Sequence, residues 1–257
     1  MFSGTQFVEP IERTRDSKFK FRCHKDIGCF NKCCTRVDII LTPYDILRMK
    51  KSLGISSEEF LEKYTYTHFD EKSSHPYAML KMIDDNEGKC PFVAPSGCSI
   101  YEDRPSTCRY YPVGQGIMIS GKETEHVKEE FFFFIREPGC LGYNEEKEWT
   151  IGTWTVDQGV DLYDDINREW KEIQLRRDAQ GQDRLDPKSQ ALIYMVSYDL
   201  DRFRKFVFES RLLDIIDAEE VEKIGTDEIA LMKFGFKYLK YVLMLENTLK
   251  LKEEYTK

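Results

Sequence analysis

Hydrophobic residues recur at helical spacing through the C-terminal part of the chain, residues 146–257. The apolar runs are Val156–Ile173, Leu192–Phe203 and Ile229–Leu245. A helix-start signal accompanies each run: Thr155 with Gln158, then Asp186-Pro187, then Thr226-Asp227. Because spacings of three and four place apolar side chains on one face of a helix, the pattern predicts an all-helical C-terminal subdomain.

The preceding part, residues 20–145, alternates short hydrophobic runs with turn residues. Thr42-Pro43 predicts the start of a helix that Gly54 ends, and Ser56 with Glu59 opens a second short helix. The predicted strands are Val37–Leu41, Tyr77–Ile83, Gly116–Ser120 and Phe131–Arg136. Because these elements are short and mixed, we expect an α+β domain with short strands and helices ahead of the helical subdomain.

Composition narrows the classes of partner and compartment. The net charge of -8 and the pI near 5.3 argue against a nucleic-acid partner, since nucleic-acid-binding surfaces are basic. The chain lacks a run of about 18 apolar residues, which would indicate a membrane span. Residues 1–23 lack the apolar core of a signal peptide. We therefore expect a cytoplasmic protein whose thiols are kept reduced.

All eight cysteines lie between Cys23 and Cys140. In a reducing compartment this clustering indicates metal ligands before it indicates disulfides. The candidate metal ligands are Cys23, Cys29, Cys33, Cys34, Cys90, Cys98, Cys108 and Cys140. A zinc ion or an iron–sulfur cluster takes four thiolates, so eight cysteines suit two sites. One site accompanied by four structural thiols is the alternative.

The local sequence around the cysteines bears on the kind of metal. Adjacent side chains point in different directions in most backbone conformations, so we expect Cys33 and Cys34 to serve different metals. Cys90-Pro91 is typical of iron–sulfur ligands, and no Cys-x2-Cys pair of the zinc-ribbon type is present. Aromatic residues are also frequent near the cysteines, among them Tyr111. These features favour an iron–sulfur cluster, with zinc as the alternative.

Charged residues beside the cysteines are candidates for contact with the cofactor. Arg104 and Arg109 flank Cys108. Four thiolates on Zn²⁺ or on an iron–sulfur core leave a net negative charge, which a nearby guanidinium offsets. Ordinary surface or carboxylate contacts are the alternative for these arginines. His24 follows Cys23 and is an alternative ligand in place of a cysteine.

Three blocks of the sequence resemble a known family. They are Cys23–Cys34, Cys90–Phe92 and Gly97–Pro112, the last reading GCSIYEDRPSTCRYYP, and Cys140 follows as a late single cysteine. Together they resemble the CxxCxxCC (YkgJ-like) cysteine-cluster family, whose members are described as chelators of zinc or iron and often carry the label Fe–S oxidoreductase. The first block departs from the family name, because its gaps are five and three residues where the name has two and two. The cysteine pattern is also similar to that of flagellin lysine-N-methylase.

The resemblance and the thiol count support three functional hypotheses. The first is an electron-transfer protein or Fe–S oxidoreductase that carries one or two [4Fe–4S] clusters. The second is an interaction module without catalysis, in which zinc or a cluster stabilises the fold while the helical part binds a protein. The third is a protein lysine methyltransferase-like activity, which requires a pocket for a methyl donor. The first two predict a protein partner, either a redox partner or a scaffold.

Overall fold

Short strands, turns and helices alternate along the chain. The structure, a computed structural model, describes residues 7–9, 11–120, 127–179, 184–243, 245 and 249. It groups the chain into two compact units: unit 1 comprises Met1–Leu41 and Met79–Tyr163, and unit 2 comprises Thr42–Ala78 and Asp164–Lys257. Small antiparallel sheets accompanied by C-terminal helices confirm the predicted α+β class.

The elements follow one another closely along the described chain. In chain order they are β1 (Lys18–Lys20), α1 (Pro43–Leu53), α2 (Ser57–Tyr64), β2 (Thr65–Phe69), β3 (Pro76–Leu80), β4 (Val93–Ala94), β5 (Gly97–Cys98), α3 (Ser106–Tyr110), β6 (Val113–Ser120), β7 (Val127–Phe134), β8 (Glu148–Thr150), α4 (Ile151–Asp157), α5 (Val160–Ala179), α6 (Pro187–Tyr198), α7 (Leu200–Glu209), α8 (Leu212–Ile215), α9 (Ala218–Thr226) and α10 (Glu228–Val242). Short 3₁₀ helices cover Lys32–Cys34, Tyr101–Asp103 and Leu141–Asn144. The strands pair in twos, as β1–β8, β2–β3, β4–β5 and β6–β7.

The core of unit 1 forms around the β6–β7 hairpin. Successive residues of a strand point to opposite faces, so Phe132 and Phe134 are buried while Phe133 lies on the other face. Gly114 pairs with Phe133, and a Cβ atom at Gly114 would lie 2.2 Å from the Phe133 ring. Glycine is therefore needed opposite this ring. Other buried aromatic residues of this core are Phe19, Phe21, Tyr110 and Trp154.

Unit 2 consists mainly of helices. Helix α1 begins and ends where the sequence predicts: Thr42 accepts a hydrogen bond from the Asp45 N–H at 3.2 Å, and Gly54 ends the helix with φ 67°. Ser56 likewise caps α2. Residues 42–78 cluster with the C-terminal helices. The predicted domain limits, 20–145 and 146–257, stay a prediction.

The predicted strands occur with shifted ends, with one exception. The strand predicted over Tyr77–Ile83 corresponds to β3. The strands predicted over Gly116–Ser120 and Phe131–Arg136 correspond to β6 and β7. Val37–Leu41 is not a strand, and its pairing is a single bridge between Ile40 and Met79. Ile39 and Leu41 are both buried. The apolar character of this segment therefore reflects burial of an irregular segment and not a ladder of hydrogen bonds.

The first predicted C-terminal helix is divided in two. Helix α4 begins before Thr155, because Thr150 and Thr153 form a reciprocal capping box. Gly159, with φ 66°, separates α4 from α5. Val156, which the sequence places on the apolar face, is 69% exposed. The residues at helical spacing after Val156 are buried on α5, so the predicted face is right from Val160 onward; they are Val160, Tyr163, Ile166, Trp170 and Ile173.

The second predicted helix is also interrupted. Asp199 lies between α6 and α7 in a non-helical conformation, and its carboxylate accepts a hydrogen bond from the Arg202 N–H at 3.3 Å. The third predicted helix begins beside Thr226 as expected, with Asp227 as its cap. Across the described ranges, no helix combines the length and the apolar character that crossing a bilayer requires.

Candidate metal centre

All eight cysteines are free thiols, and all of them belong to unit 1. Cys23, Cys33 and Cys108 are exposed, and the other five are partly buried. The thiols therefore lie at or just below the surface of unit 1. The segments that carry them are mostly irregular. Such loops bend toward a common point more readily than a regular helix does.

Three segments bring Cys23, Cys29, Cys33 and Cys140 together, and we name these residues the first thiol group. The N–H of Arg22 donates to the carbonyl of Gly142 at 3.1 Å, and the N–H of Leu141 donates to Cys29 Sγ at 3.2 Å. Burial, together with the charges of the three other thiols of the group, raises the pKa of the Cys23 thiol to about 11. The four sulfur atoms thus act on one another electrostatically.

A tyrosine hydroxyl belongs to the surroundings of the first thiol group. The hydroxyl of Tyr111 is hydrogen-bonded to Cys140 Sγ and lies 3.3 Å from the Glu137 carboxylate. Burial raises the pKa of Tyr111 above its ordinary value, and the bond to Cys140 raises it further. The sequence indicates Tyr111 only as a nearby aromatic residue. Its contact with a cysteine remote in sequence has no local signal.

The other four cysteines, Cys34, Cys90, Cys98 and Cys108, form the second thiol group. The N–H of Cys90 donates to the carbonyl of Cys34 at 2.8 Å. The β4–β5 hairpin then returns Cys98 toward Cys90, and the Cys98 thiol acts electrostatically on that of Cys90. Arg104 interacts electrostatically with both Cys98 and Cys108. These contacts link all four residues in one region of unit 1.

Backbone amides point at several of the sulfur atoms. The sulfurs of Cys90, Cys98 and Cys140 each accept a hydrogen bond from the N–H two residues later. Burial raises the pKa of these three thiols, and the N–H donors partly oppose that rise. The Leu141 N–H adds a backbone donor to Cys29 Sγ. N–H donors stabilise the thiolate, which is the form that binds metal.

Arg104 connects the second thiol group to the end of α4. Its guanidinium donates to the Tyr101 carbonyl and to the Gln158 side chain, each at 2.6 Å, and lies 3.9 Å from the centre of the Tyr101 ring. Burial lowers the pKa of Arg104, and its positive charge partly opposes the rise that burial causes in the pKa of the Cys98 thiol. The charge predicted to offset the thiolates is therefore within electrostatic reach of them.

Arg109 has a different role in the structure. Its guanidinium donates to the carbonyls of Glu102, Arg104 and Gln158, with the last two contacts at 3.1 and 2.7 Å. It also lies 4.4 Å from the centre of the Tyr163 ring. The side chain is 7% exposed. Arg109 therefore ties the loop before α3 to the end of α4 through backbone carbonyls.

The donor set suits a soft metal, although the ligands are not gathered around a point. Within the described residues, no three His, Cys, Asp or Glu side chains lie close enough together to hold an ion. Thiolates are the preferred ligands of zinc and of iron–sulfur clusters, and cysteine χ1 has three staggered wells. Rotation about χ1 therefore moves each sulfur atom without movement of the backbone. His24 lies 3.6 Å from the Glu145 carboxylate, and its role as a substitute ligand stays a prediction.

Comparison with known families agrees with the donor chemistry. The model of the CxxCxxCC family, described as a "putative zinc- or iron-chelating domain", matches residues 22–146. This range contains all eight cysteines as well as Arg104 and Arg109. No solved structure matches the chain. The match over residues 22–146 confirms the resemblance that the cysteine blocks carry.

Proposed function

We propose that the protein binds metal through its eight cysteine thiolates and carries one or two [4Fe–4S] clusters with a role in electron transfer. The observation that carries this proposal is the set of backbone N–H groups that donate to the sulfurs of Cys29, Cys90, Cys98 and Cys140. Hydrogen bonds to ligating sulfurs orient the thiolates and tune the reduction potential of a cluster. The cluster would supply a one-electron couple.

Exposure of the thiols supports a redox role. Cys23 and Cys33 are exposed in the first thiol group, as is Cys108 in the second. A centre ligated by these residues lies near the surface of unit 1, where a redox partner reaches it. Free thiols in all eight positions also fit our proposal of a cytoplasmic protein, since that compartment keeps cysteines reduced.

Arg104 is the residue that we propose tunes the second thiol group. Four thiolates leave a net negative charge on a zinc or iron–sulfur centre, and a nearby guanidinium stabilises that charge. Arg104 is 7% exposed, so its charge is poorly screened by water. Arg109 does not take part directly, because its donors are directed at backbone carbonyls.

Reduction of anaerobically purified protein tests the electron-transfer role. We expect dithionite to bleach the visible absorbance and to produce the paramagnetic resonance signal of a reduced cluster. Both changes should reverse on reoxidation. A metal-loaded protein that neither gains nor releases an electron under these conditions contradicts the redox role.

A second candidate function is a metal-stabilised interaction module. It is favoured by the small amount of regular structure around the cysteines: β4 and β5 have two residues each, and the 3₁₀ helix Lys32–Cys34 buries no residue. Metal binding in such a segment contributes directly to folding. For this function we expect chelation to remove the order of the cysteine loops while the helices of unit 2 persist. Circular dichroism recorded alongside the redox titration distinguishes the two candidates.

A further inference from the structure

The two thiol groups bear on which cysteines share a metal centre. The inference rests on the metal binding proposed above. We propose that the protein holds two metal centres of four cysteines each, one ligated by the first thiol group and one by the second. The centres meet at the peptide bond between Cys33 and Cys34. Neither the spacing of the cysteines nor the family match assigns ligands to a centre.

Contacts between residues that are far apart in the sequence define the first centre. Residues 22–23 lie beside residues 140–142 through the bond from Arg22 to Gly142. The Leu141 N–H, 3.2 Å from Cys29 Sγ, adds the segment that carries Cys29 and Cys33. Cys33 and Cys140 both act electrostatically on the Tyr111 hydroxyl, so both thiols lie near it.

A separate set of contacts defines the second centre. Antiparallel pairing runs from the Thr35–Lys89 bridge to the Cys90 N–H, which donates to the Cys34 carbonyl. The β4–β5 pairing places Cys98 opposite Val93 in the next turn of the chain. Cys108 follows on α3, and the Arg104 guanidinium interacts electrostatically with both Cys98 and Cys108. The contacts of this set do not involve Cys23, Cys29 or Cys140.

Cys33 and Cys34 are the junction between the centres. Their thiols are hydrogen-bonded to each other, so the two side chains do not diverge as the sequence leads us to expect. The Cys34 carbonyl accepts from the Cys90 N–H, and this backbone contact is what places Cys34 with the second group. Assigning Cys33 to the first group and Cys34 to the second gives each centre the four thiolates that zinc or a [4Fe–4S] cluster takes. The centres are then close enough for charge on one to influence the other.

Metal analysis of paired variants of the full-length chain tests this division. One variant, Cys29→Ser with Cys140→Ser, damages only the first centre, and another, Cys90→Ser with Cys98→Ser, damages only the second. A third variant, Cys29→Ser with Cys98→Ser, damages both. Since each centre takes four thiolates, we expect about half of the wild-type metal in the first two variants and little in the third.

Each departure from this result has a distinct meaning. Wild-type protein that binds no zinc or iron overturns the proposed function itself. Metal-loaded wild type whose same-group variants lose all metal overturns the division and leaves one shared centre. A cross-group variant that keeps about half of the metal overturns the assignment of ligands to the groups.

A measurement on unmodified protein covers the case in which serine variants fail to fold. The chain is alkylated with N-ethylmaleimide during stepwise chelation, and mass spectrometry of its peptides gives the protection of every cysteine. We expect Cys23, Cys29, Cys33 and Cys140 to lose protection together, and the other four to lose it together in a different step. Eight cysteines that lose protection in one step, or in groups of other composition, overturn the division.

Discussion

The backbone N–H of Leu141 donates to Cys29 Sγ at 3.2 Å, although 112 residues separate the two positions in the chain. This bond joins the late single cysteine, Cys140, to the N-terminal cysteine block. It also directs a dipole at a sulfur that we propose as a ligand. Hydrogen bonds of this kind stabilise a thiolate and orient it toward a metal.

The first prediction concerns the Leu141 donor. Leu141→Pro removes the N–H at the first position of a 3₁₀ helix, where proline is compatible with the helical turn. Because loss of a partner that orients a ligand costs about 10–100-fold in metal affinity, we expect faster release of metal to a chelator. Leu141→Ala keeps the N–H and serves as the control. Equal release rates in the two variants would mean that the bond contributes nothing to metal retention.

The second prediction concerns the Tyr111 hydroxyl. Tyr111→Phe removes its hydrogen bond to Cys140, and we expect chelation of the first thiol group to become about 10–100-fold easier. Tyr143→Phe is the matched control, since the Tyr143 hydroxyl bonds to the carbonyls of Pro112 and Ile135. It should lower the free energy of unfolding by about 1 kcal/mol and leave metal release unchanged. If Tyr143→Phe releases metal as fast as Tyr111→Phe, the effect is not specific to the thiol contact.

The third prediction separates the two arginines. Arg109→Lys removes the planar fork that reaches three carbonyls, so we expect a loss of about 2–4 kcal/mol in the stability of unit 1. Metal bound per folded chain should not change. Arg104→Gln removes a positive charge beside Cys98 and Cys108, and we expect it to weaken metal binding or to make the cluster potential more negative. Denaturant titration and metal analysis of both variants check the contrast, and metal loss confined to Arg109→Lys would reverse these roles.

The fourth prediction concerns a buried lysine in unit 2. Lys50 Nζ lies 2.9 Å from the Asp201 carboxylate and 3.1 Å from that of Glu228. Because Asp201 is partly exposed, we expect Lys50→Met to cost about 2–3 kcal/mol, less than the about 3–5 kcal/mol of a fully buried pair. Lys51→Met is the control, since exposed Lys51 pairs with the same glutamate and should contribute less than about 1 kcal/mol.

The same ion pairs predict how stability depends on pH. Burial alone would raise the pKa of Asp201 and of Glu228. The Ser57 N–H and Lys50 outweigh this effect at Asp201, and Lys51 and Lys50 outweigh it at Glu228. Both pKa values therefore lie below their ordinary values. Stability from these groups is therefore fully present above the unfolded-state pKa values of about 4 and is lost as the pH falls through the lower folded-state values. Urea titrations from pH 7 to acid should show this loss in wild type and a smaller one in Lys50→Met. Parallel curves for the two proteins would contradict the role of Lys50.

The elements that the sequence predicts well are those with local signals. Thr42, Pro43 and Gly54 fix the ends of α1 through hydrogen bonds and backbone angles within a few residues. The Thr155 signal failed, because Thr150 with Thr153 offers a better cap five residues earlier. Val37–Leu41 has the composition of a strand, yet strand formation depends on a partner that lies elsewhere in the chain.

In the candidate site, too, the sequence predicts well only what has a local signal. The eight thiols and the two arginines are visible in the sequence, because residue type and spacing carry the chemistry of a metal ligand. Their division into groups depends on the pairing of Arg22 with Gly142 and of Cys34 with Cys90, which no local pattern records. The kind of metal, the electron-transfer role, the protein partner and the methyltransferase-like alternative stay predictions.

The central claim, that these cysteines hold metal as thiolates, is tested most directly by elemental analysis of protein purified without oxygen. Iron, acid-labile sulfide and zinc are assayed on one sample whose visible spectrum is recorded. We predict broad visible absorbance, iron and sulfide in equal amounts, and about four or eight irons per chain for one or two clusters. Zinc in a colourless protein would keep the thiolate site and contradict the cluster. A chain free of both metals, with eight reactive thiols, would contradict the account as a whole.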